Sequence, residues 1–140
     1  MLVNKIKGLG EIVLRVNEME LMRGFYKNSL GLELIRGSEE YTFFKIAEGY
    51  GGHTQTLALF AKSNLTAFGT KLERVEPNHS SLHHLALEID VKDYDEIIDL
   101  LKKQNIDFVT EVFEWVKWKS IFIKDPELNV LEFVCYDSNL

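Results

Sequence analysis

With 140 residues, 46% of them hydrophobic and 27% charged, the chain has the size and composition of one globular domain able to bury a real core. Its formal charge of −6 argues against nucleic acid or an anionic membrane surface as the main partner, since both select for basic faces. One cysteine, Cys135, excludes an intrachain disulfide, no apolar run approaches membrane-spanning length, and "MLVNKIKGLGEIVL" is too polar for a secretion signal, so a soluble cytoplasmic protein is expected.

"EIVLRV" (11–16) alternates as a strand does, and "EMELMRGFYKNSL" (18–30) places Leu21, Met22, Phe25, Tyr26 and Ser29 on one face of a helix. Asn17 is the predicted N-cap, with Glu20 three residues on, and Gly31 ends the helix. Strands are predicted over 32–37, 41–47 and 54–61, separated by turn chemistry at "GSEE" and "EGYGGH". Residues 10–61 therefore read as one βαβββ module. "GLGE" and "EGYGGH" are rich in glycine, but neither joins a strand to a helix as a phosphate loop requires, so both are read as turns.

Residues 62–81 are polar and aperiodic, and are expected to be a connector. The pattern then restarts over 82–137. "LHHLALEI" (82–89) is the predicted strand, and "DYDEIIDLLKKQ" (93–104) is a helix with Tyr94, Ile97, Ile98 and Leu101 on one face. Its acids come early and its lysines late, which complements the helix dipole. "DFVTEVFEW", "WKSIFIKD" and "NVLEFVCY" supply three more strands. Leu14-Arg15-Val16-Asn17 lies over Leu87-Glu88-Ile89-Asp90, so Asn17 and Asp90 are expected to cap equivalent helices. Internal duplication is thus the main organisational signal, and the fold class is α+β, two tandem βαβββ modules. Alternation along the 82–89 strand sends His83 and His84 to opposite faces. Cys135, inside "VLEFVCY", is read as a buried, inert thiol.

Three stretches, "EIVLRVNEMELMRGFYKNSLGLEL", "HHLALEI" with its helix, and "FIKDPELNVLEFV", resemble the vicinal oxygen chelate superfamily. That superfamily includes glyoxalase I, extradiol dioxygenases, fosfomycin-resistance transferases and bleomycin-binding proteins. The resemblance implies curled sheets around a cleft with helices outside, a divalent metal, a small oxygen-bearing substrate and a homodimer. Family ligands come from strands one, four, five and eight, positions that fall here on Glu11, Ala58, His84 and Glu132. Ala58 cannot coordinate, and Leu128 in "DPELN" stands where the family turn often has glycine. The set left by the resemblance is Glu11, His84 and Glu132, one imidazole and two carboxylates, suited to Mn²⁺, Fe²⁺, Ni²⁺ or Zn²⁺.

Alternation puts Glu11, Val13 and Arg15 on one face of the first strand, His84, Ala86 and Glu88 on one face of the fifth, and Glu132, Val134 and Tyr136 on one face of the eighth. Glu11 and Glu132 are the candidate catalytic carboxylates, and Tyr136 is a candidate hydroxyl donor. Arg15 matches an arginine that glyoxalase I enzymes place on a substrate carboxylate, and a guanidinium suits such a bidentate anion. Phe60, Trp118 and Phe122 are candidate aromatic walls for a small-molecule ligand. The alternative is a metal-free protein that sequesters an apolar or aromatic compound, with a protonated His84 bridging the two carboxylates. His53 and the connector residue His79 are read as solvated loop histidines, and Lys45 as a counter-charge in an unsettled register.

Overall fold

The computed structural model describes residues 2–69, 76 and 80–140. The chain divides into two compact halves, Met1–Glu76 and Pro77–Leu140. The first holds β1 (Glu11–Val16), α1 (Met19–Gly24), β2 (Glu33–Gly37), β3 (Tyr41–Glu48) and β4 (Thr54–Ala61). The second holds β5 (Leu85–Glu88), α2 (Tyr94–Lys103), β6 (Phe108–Phe113), β7 (Trp118–Lys124) and β8 (Val130–Tyr136). Each half builds one four-stranded sheet on the same plan. The orders are β1-β4-β3-β2 and β5-β8-β7-β6, with β1/β4 and β5/β8 parallel and the other pairs antiparallel.

In the first half, Leu14, Val16, Leu57, Leu59 and Phe44 bury one side of their strands, and Met19, Met22 and Tyr26 are buried on the helix. Tyr26 packs its ring at 6.0 Å from Phe44. The expected single helix over 18–30 is two pieces: α1 passes into one π-helical turn at Phe25–Ser29. The wider turn closes through Leu30 N–H donating to the Phe25 carbonyl, and Gly31 at φ +72° ends it. Asn17 is not the cap. Glu18 occupies that position and makes no side-chain capping bond.

In the second half, Leu85, Ile121, Ile123 and Leu131 form the buried sheet face, joined by Tyr94 and Leu101 of α2. Asp90 does cap, accepting a 3.1 Å bond from Lys92 N–H, but the segment it starts is a 3₁₀ turn, Val91–Asp93, that leads into α2. The strand expected over 82–89 is shorter, and its difference matters for the site: β5 begins only at Leu85. His83 and His84 precede it, so strand alternation does not govern them, and they do not diverge. Their Nδ1 atoms lie 2.7 Å apart. Among the described residues no helix is long and apolar enough to cross a membrane.

Candidate functional site

β5 and β8 run parallel with Ala86 opposite Glu132, and β7 then sets Phe122 opposite Glu132. Opposed residues share a face, so these side chains project from the sheet side away from Leu85 and Leu131. Glu132 is only 7% exposed, which for an ionisable side chain demands partners. Ser120 Oγ donates to its Oε1 at 2.5 Å, and His84 Nε2 stands 3.1 Å from its Oε2. Ser120 is itself fully buried on β7, so its hydroxyl is a fixed donor. The Phe122 ring meets the His84 imidazole edge to face at 6.1 Å, and the His83 ring meets it edge to face at 5.0 Å.

Ser120, Glu132, His84 and His83 thus form a continuous polar chain walled by Phe122. Trp118 and Tyr136 oppose one another on the same face. Tyr136 lies four residues along β8 from Glu132, roughly 13 Å at the rise of an extended strand. The structure therefore gathers His84, Glu132 and Phe122, and sets Trp118 and Tyr136 apart as a second, more exposed pair.

The matching face of the first half carries Glu11, Val13 and Arg15 on β1 against Thr56, Ala58 and Phe60 on β4. Glu11 is exposed, and its Oε1 accepts a 2.9 Å bond from Thr56 Oγ1. Ala58 is completely buried opposite Val13 and offers no donor atom. Lys45 opposes Thr56 from β3, which settles its register, and its ammonium pairs with Glu48. That hydrogen bond and charge raise the Lys45 pKa above its ordinary value.

Arg15 and Phe60, with Val13 and residues 64–67, line a pocket of about 380 Å³. Behind Phe60, the rings of Phe43 and Tyr41 continue an aromatic row at 5.8 and 5.5 Å. The pocket joins a guanidinium to an apolar wall, which suits a small ligand bearing an anionic group.

Within each half, among the described residues, no three His, Cys, Asp or Glu side chains are gathered so as to hold a metal by themselves. The second half supplies a two-residue N/O pair, His84 and Glu132, and Glu11 belongs to the first half. His53 is exposed just before β4, and His79 lies outside the described residues. Cys135 is buried, and burial raises its thiol pKa, which favours the unreactive protonated form.

Sequence reasoning did not single out Thr56 or Ser120, the two hydroxyls that hold the carboxylates, and it turned His83 away from His84 as a structural residue, whereas the two rings meet. The pairing register is what reveals the first two. A small polar residue inside an otherwise apolar strand, as Ser120 is in "SIFI", was the available signal.

The family profile described as Glyoxalase/Bleomycin resistance protein/Dioxygenase superfamily matches residues 8–133. Among solved structures, an integron cassette protein from the mobile metagenome of the Halifax Harbour sewage outfall is similar at TM-score 0.67 and 21% identity, over 93% of this chain and 99% of that one. Lactoylglutathione lyase from Agrobacterium tumefaciens is similar at 0.65 and 20%, over 91% and 92%. The fosfomycin resistance protein FosX from Listeria monocytogenes is similar at 0.65 and 19%, over 96% and 97%. These likenesses show the fold. No curated protein sequence matches significantly.

Proposed function

This chain belongs to the Glyoxalase/Bleomycin resistance protein/Dioxygenase superfamily, and from that premise we propose that it is a small metal-dependent enzyme acting on an oxygen-bearing substrate. The observation that carries the reading is the convergence of His84 Nε2 on Glu132 Oε2 at 3.1 Å, with the other carboxylate oxygen fixed by Ser120. Metal-binding carboxylates are oriented by outer hydrogen bonds of this kind. Glu11 has the same arrangement, one oxygen taken by Thr56. The donor set of one imidazole and two carboxylates fits a divalent Mn, Fe, Ni or Zn ion, and Glu11, His84 and Glu132 would hold it.

When bound, such an ion supplies Lewis-acid stabilisation of negative charge developing on a substrate oxygen, the chemistry that lyase, isomerase, dioxygenase and transferase members have in common. The protein's own groups do the rest. Buried Glu132 carries charge where water is largely excluded, and Ser120 keeps it from rotating. Arg15 neutralises an anionic substrate group, while Phe60, Phe122 and Trp118 offer apolar walls. Tyr136 supplies a hydroxyl farther along β8. A homodimer and a cytoplasmic setting are parts of the same proposal, supported by the family resemblance and by a chain with a single cysteine.

A second reading, metal-free sequestration of an apolar or aromatic compound, is favoured by one observation: buried Ala58 stands at the fourth-strand ligand position beside an aromatic row. Elemental analysis of the purified protein separates the two. The enzyme reading expects one equivalent of divalent metal, lost in His84→Ala. No metal at any stoichiometry, with melting unchanged on adding Mn²⁺, Ni²⁺ or Zn²⁺, sinks it.

A further inference from the structure

The dipeptide His83-His84 has a geometry that constrains where protons sit. Two imidazole Nδ1 atoms 2.7 Å apart form a hydrogen bond only if one carries a proton and the other offers its lone pair. His84 faces Glu132 through Nε2 at 3.1 Å, and a carboxylate can only accept. In that pairing neutral His84 is protonated on Nε2, so its Nδ1 is the acceptor and His83 Nδ1–H is the donor.

A metal taken by His84 on Nε2 needs the lone pair there. The ring must then carry its proton on Nδ1, and the bond to His83 must run in the opposite direction. We infer that His83 is a positioning residue for His84: it accepts the Nδ1 proton and so holds the His84 ring with Nε2 open to a metal. The inference rests on the metal reading above and adds to it a residue outside the ligand set.

The exchange conserves protons and charge. The Nδ1 proton of His83 passes to Nδ1 of His84, the Nε2 proton of His84 leaves to water, and His83 takes one from water on its own Nε2. Both rings are neutral before and after. His83 is exposed, so water reaches it without opening the fold, whereas Glu132 beyond His84 is buried. Phe122, edge to face with the His84 ring at 6.1 Å, limits how that ring can turn away from the two partners.

The test measures Zn²⁺ and Mn²⁺ affinity by competition with a chromophoric chelator for wild type, His83→Ala and His83→Asn. Loss of an outer hydrogen-bond partner of a ligand histidine costs about 10–100-fold in metal affinity, and that is the loss expected for His83→Ala. The melting of its metal-free form should stay unchanged, because the side chain is exposed. His83→Asn, whose amide oxygen accepts the same proton, should recover most of the affinity. Nitrogen NMR of the Zn²⁺-loaded wild type should show the His84 proton on Nδ1. A wild type that takes up no metal overturns the metal reading and this inference together. A wild type that binds while His83→Ala binds equally, or a loaded His84 without a proton on Nδ1, overturns this inference alone.

Discussion

In the first half Glu11 sits diagonally from Ala58 across β1 and β4, and in the second His84, just before β5 and two residues ahead of Ala86, reaches Glu132 of β8. The registers are the same, Val13 opposite Ala58 and Ala86 opposite Glu132. What differs is the chemistry laid on them. The second half places an imidazole and a buried carboxylate on its diagonal, and they meet. The first half has a carboxylate with nothing across the diagonal to receive it, so Glu11 bonds straight across the pair to Thr56 instead. One sheet plan thus carries a formed polar chain on one copy and a single supported carboxylate beside an aromatic pocket on the other. Duplication preserves backbone pairing, because one slipped residue would turn the apolar face to solvent, but leaves the opposite face free to diverge.

If the two sheets are packed alike beneath that divergent face, matched core positions must matter alike. Leu57 on β4 and Leu131 on β8 are such a pair, 1% and 0% exposed. Leu57→Ala and Leu131→Ala should each destabilise the protein by about 2–5 kcal/mol, the range for a buried leucine leaving a cavity. Urea unfolding followed by far-UV circular dichroism reads the first. Tryptophan fluorescence reads the second, since Trp115 and Trp118 both lie in that half. A cost under about 1 kcal/mol at either position would break the equivalence of the two cores.

The comparison sharpens at the hydroxyls. Ser120 and Thr56 each donate to a carboxylate, but Ser120 and Glu132 are buried whereas Glu11 is exposed. A hydrogen bond to a charged group that water cannot replace is worth about 1.5–3 kcal/mol, and Ser120→Ala should cost about that much. Water can take the place of the Thr56 hydroxyl, so Thr56→Val should stay within about 0.5 kcal/mol. Equal losses in denaturant unfolding would mean that Glu132 is as well solvated as Glu11.

The repeat and both sheets were legible in the sequence because alternation is a strong signal in strands with one buried face, as at Leu14 and Val16. The faces of Glu11, Arg15, Phe60, Glu132 and Tyr136 follow from the same alternation. It misled at His83, where the chain is not yet a strand: His83 and His84 precede β5, and His83 turns onto His84 by local geometry instead of facing away from it. The break in the first helix was hidden too, since a π turn keeps the same apolar residues and changes only their spacing. Asn17 looked like a cap by residue type, but the helix begins one position later.

The finest difference between the halves lies in their hairpins. β3 and β4 are joined through Gly49 N–H donating to the His53 carbonyl, and β7 and β8 through Asp125 N–H donating to Asn129. Three residues after the donor, both turns hold a left-handed residue, Gly52 at φ +87° and Leu128 at φ +68°, although the first turn is already left-handed at Gly51, φ +64°. Glycine adopts that conformation freely, while a residue with a Cβ is strained there by about 1–2 kcal/mol. The second turn tolerates leucine because the buried Asp125 carboxylate fixes it, accepting from Glu127 N–H, Asn129 N–H and Asn129 Nδ2. Leu128 is exposed, so replacing it removes little packing. Leu128→Gly relieves the strain but gives the unfolded chain more freedom, which offsets about half of the gain. The net expectation is a stabilisation of about 0.5–1 kcal/mol, with Gly52→Ala destabilising by about 1 kcal/mol in the matched turn. Opposite signs in the two turns, read as shifts in the thermal midpoint, would show that both demand a left-handed residue at the matched position. A destabilised Leu128→Gly would show that the leucine side chain holds its turn in a way that glycine at 52 does not.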